Sequence, residues 1–109
     1  MSNEIVLKGM GTSAGTAEGA VCVINSRADF NKFKEGNVLV TKITDPTMVM
    51  IMNEASAIVC DIGGITSHPS IISRELGIPC VVNTKEATSK LQDGQKIIVN
   101  GTTGEIFVA

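Results

Sequence analysis

The sequence predicts a compact α/β domain with a central β-sheet flanked by short helices. Short β-branched runs alternate with helical patterns along the chain, and Gly and Pro punctuate the boundaries between them. Hydrophobic residues make up 43% of the chain, yet it has only three Phe and no Trp or Tyr, so the core is expected to be aliphatic. Its 109 residues form one predicted domain, 1–109. A domain of this size buries roughly 60–65% of its unfolded surface without disulfide or metal staples.

Residues 5–8 read as a strand entering a glycine-rich turn over residues 9–19, and residues 20–24 as the next strand. Gly9, Gly11 and Gly15 superficially suggest a dinucleotide fingerprint, but that motif needs a helix immediately afterwards, and the next run is β-branched. They read instead as turn and close-packing residues. Residues 26–35, polar with Phe30 and Phe33 three apart, predict a short helix or helical turn, and Gly36-Asn37 precedes a strand over 38–41. Thr44 or Asp45 caps a second helix with Pro46 in its first turn, running to about Ala55. Met48, Ile51, Met52 and Ala55 form its inward face, with Met50 turned away. Strands at 57–60 and 79–82 bracket a third helix, and short connections make that crossover parallel. Residues 86–91 form a weak helix ended by Asp93-Gly94. Residues 95–100 and 105–108 form a hairpin across 101–104.

Residues 61–79 contain the only histidine, His68. Pro69 suits the first helical position, and His68 before it is expected to be extended. Ile71, Ile72 and Leu76 are assigned to one helix face, and Gly77-Ile78-Pro79 to a Schellman-type stop. A Gly63-Gly64 turn thus delivers His68 to a helix N-terminus, where free N–H groups and the positive dipole end accept phosphate. Imidazole is partly neutral near pH 7 and offers a ring nitrogen for attack. Thr66 and Ser67 place hydroxyls beside it. Arg74 falls nearly opposite His68 on a helical wheel and serves the helix surface or a partner.

Other chemistries fit less well. Ser67 and His68 are sequence neighbours whose side chains point apart, which disfavours a hydrolytic pair. Cys22, Cys60 and Cys80 lie in apolar runs without a C-x-x-C pair and read as buried thiols, so no metal site is expected. There is no Walker A sequence. A net charge of −2 without basic clusters argues against nucleic acid. The first residues show no signal sequence and no run could span a bilayer, so a cytoplasmic, non-membrane protein is expected. The bland alternative makes His68 only a cap residue.

The stretch Gly63-Gly-Ile-Thr-Ser-His-Pro-Ser-Ile-Ile-Ser-Arg-Glu-Leu-Gly-Ile-Pro79 closely resembles the signature of the PEP-utilizing enzyme mobile domain. This is the phosphohistidine swivelling domain of pyruvate phosphate dikinase, phosphoenolpyruvate synthase and rifampin phosphotransferase. The likeness covers nearly the whole chain, including Gly11-Thr-Ser-Ala-Gly-Thr-Ala-Glu-Gly19, Gly36-Asn-Val-Leu-Val40 with Thr44-Asp-Pro46, and Asn100-Gly-Thr-Thr-Gly104. Relatives commonly carry Ala-Ala where this chain has Pro69-Ser70, and proline where it has Met50.

The resemblance implies a β/β/α swivelling fold and a transiently phosphorylated His68 supported by Gly63, Gly64, Thr66 and Ser67. Arg74 and Thr44 are candidate contacts to phosphate or partner. Thr66 matches the threonine that, in some dikinases and synthases, a regulatory protein phosphorylates to switch the enzyme off. With no room for further modules, the chain is expected to be a free-standing phosphotransferase component, inactive without partner subunits. It would bind no cofactor itself. ATP, phosphoenolpyruvate and Mg belong to an ATP-grasp-type donor and a PEP/pyruvate-type or other acceptor. The competing reading is a non-catalytic regulatory or interaction module in which phosphorylation at His68 or Thr66 is a signal.

Overall fold

The computed structural model describes residues 4–109; residues 1–3, where the absent signal sequence was read, lie outside the described residues. The strands are β1 (Ile5–Lys8), β2 (Met10–Ser13), β3 (Thr16–Ile24), β4 (Val38–Thr41), β5 (Ala57–Cys60), β6 (Cys80–Val82), β7 (Lys96–Asn100) and β8 (Glu105–Val108). The helices are α1 (Val49–Glu54), α2 (His68–Leu76) and α3 (Ala87–Lys90). All strands join one sheet in the order β1-β8-β7-β3-β4-β5-β6-β2.

The nine-residue strand β3 organises this sheet. Its first part, from Thr16 to Ala20, pairs antiparallel with β7, and its second, from Val21 to Ile24, pairs parallel with β4. The sheet therefore has a parallel half (β3, β4, β5, β6) and an antiparallel half (β1, β8, β7).

Alternation along the strands gives the parallel half two apolar faces. Val38, Val40, Ala57, Val59 and Val81 point one way and pack with Leu7, Ile97, Val99 and Ile106 of the antiparallel half. Leu39, Ile58, Cys60, Cys80 and Val82 point the other way, against Met48, Ile51 and Met52 and against Ile72 and Leu76 of α2. Sheet on sheet, then helices on the far face, gives a β/β/α layering. Each fully buried Val, Ile or Leu contributes about 1.5–3 kcal/mol of apolar transfer free energy. Met50 is exposed and Met48, Ile51, Met52 and Ala55 are buried, as their spacing predicts.

Several local expectations are corrected. Residues 9–19 are not one turn: they hold β2 and the start of β3, because backbone ladders to β6 and β7 override the weak strand propensity of Gly, Ala and Glu. Residues 26–35 do hold the expected helical turn, as a 3₁₀ helix over Arg27–Lys32. The second helix opens as 3₁₀, Pro46–Met48, before α1 begins. Ile71 is 41% exposed; beneath α2 the buried residues are Pro69, Ser70 and Ser73, while Ile72 and Leu76 are half-buried against the core.

Candidate functional site

α2 begins one residue earlier than its proline suggests. Ser67 is the extended N-cap, His68 the first helical residue and Pro69 the second. Gly77, at φ 74° and ψ 29°, ends the helix in the left-handed region, as expected. Upstream, Gly63 adopts φ +129°, which a side chain would strain, so the chain can swing from the end of β5 to the helix start.

The loop between them is tied down at its carbonyls. Gly64 O accepts the Ser67 hydroxyl at 2.7 Å, the Ser70 hydroxyl at 2.8 Å and the Ser67 N–H at 3.1 Å. Ser70, fully buried, also meets the Thr12 hydroxyl of β2 at 2.8 Å. Arg74 completes the fastening: Nη1 donates to Thr12 O at 2.9 Å and Nη2 to Ile65 O at 2.8 Å. Its guanidinium is thus committed to two backbone carbonyls. Ser67 is likewise occupied inside the turn, whereas Thr66 is exposed and its hydroxyl makes no hydrogen bond among the described residues.

The histidine ring is held from the opposite side. Thr44 Oγ1 lies 2.7 Å from His68 Nδ1, and Thr44 is only 3% exposed. Its turn is rigid because Asp45 caps the following 3₁₀ segment, accepting Thr47 N–H at 2.8 Å. The Thr47 hydroxyl and N–H hold the Asp45 carboxyl below the usual carboxylate range. With Nδ1 engaged, Nε2 is the ring nitrogen left without a partner among the described residues. If Nδ1 carries the proton and donates to Thr44, the Nε2 lone pair is available to an electrophile.

A groove of about 380 Å³ on the domain does not include His68. It is lined by residues such as Thr41, Lys42, Asp45, Asp61 and Thr88, on the strand-end side of the Thr44 turn. His68 and its partner Thr44 lie outside the lining of that groove. Asp61 is spent on α3, accepting Thr88 N–H at 2.9 Å and the Thr88 hydroxyl at 2.6 Å. The three cysteines are buried as free thiols, and burial raises their pKa values. Sequence reasoning missed Thr12 and Ser70 altogether. Ser70, three residues after Ser67 on a helix, carried a faint signal; Thr12, across the sheet, carried none.

Fold and site together define a β/β/α domain that presents a single histidine, pinned at Nδ1, at the half-buried start of a helix. Residues 33–104 match the family model described as PEP-utilising enzyme, mobile domain, and the chain belongs to that family. It is 54% identical over 104 residues to the phosphoenolpyruvate synthase of Pyrococcus furiosus, covering 95% of this chain and 13% of that protein. Against the "uncharacterized phosphotransferase YvkC" of Bacillus subtilis it is 45% identical, covering 92% of this chain and 12% of the other. The chain therefore spans about one-eighth of the length of these relatives.

Among solved structures it is similar to a solution structure of Enzyme I (nEIt), with 34% identity, a TM-score of 0.60, and coverage of 68% of this chain and 31% of the other. Aconitase X of Thermococcus kodakaraensis, at 22% identity, matches with a TM-score of 0.65 over 94% of this chain and 97% of that one; this shows shared fold alone. No helix among the described residues is long and apolar enough to cross a membrane.

Proposed function

We propose that the chain is a phosphoryl carrier in which His68 Nε2 is the transient acceptor. The observation that carries this reading is the 2.7 Å contact between Thr44 Oγ1 and His68 Nδ1, which commits one ring nitrogen and leaves the other without a partner among the described residues, at a half-buried helix start. In the loading step the Nε2 lone pair forms an N–P bond while the donor's bridging O–P bond breaks. The departing oxygen keeps the bonding pair. The ring is left cationic, with its Nδ1 proton held by Thr44. In the unloading step an acceptor oxygen attacks phosphorus, the N–P bond breaks, and its electron pair returns to Nε2.

The helix N-terminus favours the attached phosphate dianion by about 0.3–1 kcal/mol. ATP, phosphoenolpyruvate and Mg act on separate modules in this reading: an ATP-grasp-type donor and a PEP/pyruvate-type acceptor. Similarity to longer synthases, of which this domain is one part, supports that division. A signalling role through Thr66 is the second reading, favoured by its exposed, unbonded hydroxyl.

The test is incubation with candidate donor subunits plus ATP or phosphoenolpyruvate, followed by assay for acid-labile, base-stable phosphate. Wild type should label and pass the label to an acceptor, and His68→Ala should not label at all. Thr44→Val should slow loading about 10- to 100-fold, the worth of a hydrogen bond to a charged group. Label that persists in His68→Ala sinks the proposal. Label that loads but passes to no acceptor favours signalling.

A further inference from the structure

We infer that the groove over the ends of β3, β4 and β5 is a binding site for a small organic monocarboxylate. Arg27 and Lys42 receive the carboxylate, and Phe30, Ile43 and Met48 meet its apolar body. The site is separate from His68, and the inference does not rest on the carrier reading.

Topology opens the groove. β3, β4 and β5 run parallel, with Ile24 beside Thr41 and Thr41 beside Cys60, so their carboxyl ends stop level with one another. Beyond those ends Phe30 and Met48 pack on one face of the sheet, whereas Ala87 of α3 packs on the other. Segments that part to opposite faces leave a crevice at the strand ends, where open parallel sheets hold their ligands. Ile24, Thr41 and Asp61, one from each strand end, line it. Its volume of about 380 Å³ falls in the range of small-molecule sites, roughly 300–1,000 Å³.

The polar groups of the groove are unequally spent. Asp61 already accepts the Thr88 N–H and hydroxyl, and Asp45 accepts the Thr47 N–H and hydroxyl. The Thr41 hydroxyl donates to Ile24 O at 2.7 Å. Arg27, Lys42 and the Asn25 amide are exposed, and their side chains make no hydrogen bond or ion pair among the described residues. What the groove still offers is N–H donors, so the group it takes is an acceptor, and a guanidinium fork matches a carboxylate. Two cations facing two carboxylates give the lining no net charge, which favours a monoanion over a phosphate dianion or a nucleotide. Phe30 and Ile43, both half-buried, and buried Met48 supply apolar contact for the rest of the ligand. Ile43 and Asp45 also flank Thr44, so a ligand filling the groove adjoins the turn that holds His68 Nδ1.

Benzoate is the probe, titrated into isotopically labelled protein at low salt while amide chemical shifts are recorded. Shifts should cluster at residues 24–27 and 41–48 and saturate. A Kd on the order of a millimolar is expected for a ligand of so few atoms. Arg27→Gln and Lys42→Gln should each weaken binding about tenfold, the worth of a hydrogen bond to a charged group. Both residues are exposed, so the variants keep the fold. Lys96→Gln, on β7, removes the same charge away from the groove and should leave the Kd within about twofold. Benzamide, similar in shape but uncharged, should bind about tenfold more weakly. Benzoate shifts that never saturate, or that scatter over the surface, overturn the inference. Benzamide binding as tightly as benzoate overturns it, as does an unchanged Kd in both Arg27→Gln and Lys42→Gln. Inorganic phosphate that binds the same residues more tightly than benzoate overturns the monocarboxylate assignment.

Discussion

Around Gly11 the backbone is pressed against the turn of the β7–β8 hairpin, whereas around Gly64 it faces open space. Gly9 N–H donates to Gly104 O and Gly101 N–H to Gly15 O, both at 2.8 Å, so two glycine-bearing segments form a close backbone seam. A Cβ on Gly11 would strike the Gly101 carbonyl, and one on Gly101 would strike the Ser13 carbonyl. A Cβ on Gly64 would meet nothing within 4 Å. The seam closes the two sheet halves on each other, while the Gly63-Gly64 turn delivers a side chain to the surface. Glycine content alone does not distinguish the two: one place needs close backbone approach, the other an unusual dihedral at a single position.

The sharpest way to break this comparison is Gly101→Ala. The added carbon would sit on the Ser13 carbonyl and 2.8 Å from Cys80 N, backbone atoms that no rotamer change can move aside. A loss of about 3 kcal/mol or more is expected. That corresponds to a fall in melting temperature of roughly 12 °C or more by circular dichroism. A drop of only a few degrees would show that the seam yields.

Gly63→Ala comes next. Its φ of +129° and a Cβ 2.9 Å from Ser67 Oγ predict a loss of about 1–3 kcal/mol in urea unfolding. Slower loading of His68 should accompany it, since the Ser67 hydroxyl ties the glycine turn to the residue before His68. Melting temperature unchanged by Gly63→Ala would remove the dihedral argument.

A smaller effect is expected at Asp93, which fastens β3 by accepting Val23 N–H at 2.7 Å and the Lys32 ammonium at 2.9 Å. The Val23 bond first, and Lys32 second, hold its carboxyl below the usual range. A depressed carboxylate contributes stability that is complete above its unfolded value near 4 and is lost as pH falls through the lower folded value. Asp93 is half-exposed, so solvent screening keeps the contribution below about 1 kcal/mol. The stability gap between wild type and Asp93→Asn should therefore close as pH falls from about 5 to about 2. A constant gap would assign the effect to packing. The smallest change is Gly64→Ala, expected within about 0.5 kcal/mol of wild type. A large loss there would make both glycine stretches equally strict and erase the contrast.

Much of this was legible from local pattern. The apolar runs at 38–41 and 57–60 read as strands, and the structure buries both of their faces. Pro69 and Gly77 bracketed α2 to within a residue, because caps act on adjacent backbone. The turn at 101–104 set the closing hairpin, with Asn100 opposite Glu105. The segment at 9–19 misled, since its strands are made by ladder partners and not by its own side chains. Ile71 misled as well: the side chains buried beneath α2 include the hydroxyls of Ser70 and Ser73.

The sequence by itself determined that one histidine would stand at the start of a helix after a glycine turn, because those signals lie within a few residues of each other. Only the tertiary structure decided which of its nitrogens is free. Thr44 reaches His68 across 24 residues and Ser70 reaches Thr12 across 58, and no local propensity encodes either pairing. Parallel pairing of β4 with β5 carries both connections to the same edge of the sheet. That register, set by burial on both faces, brings the Thr44 hydroxyl to Nδ1 and leaves Nε2 without a partner among the described residues.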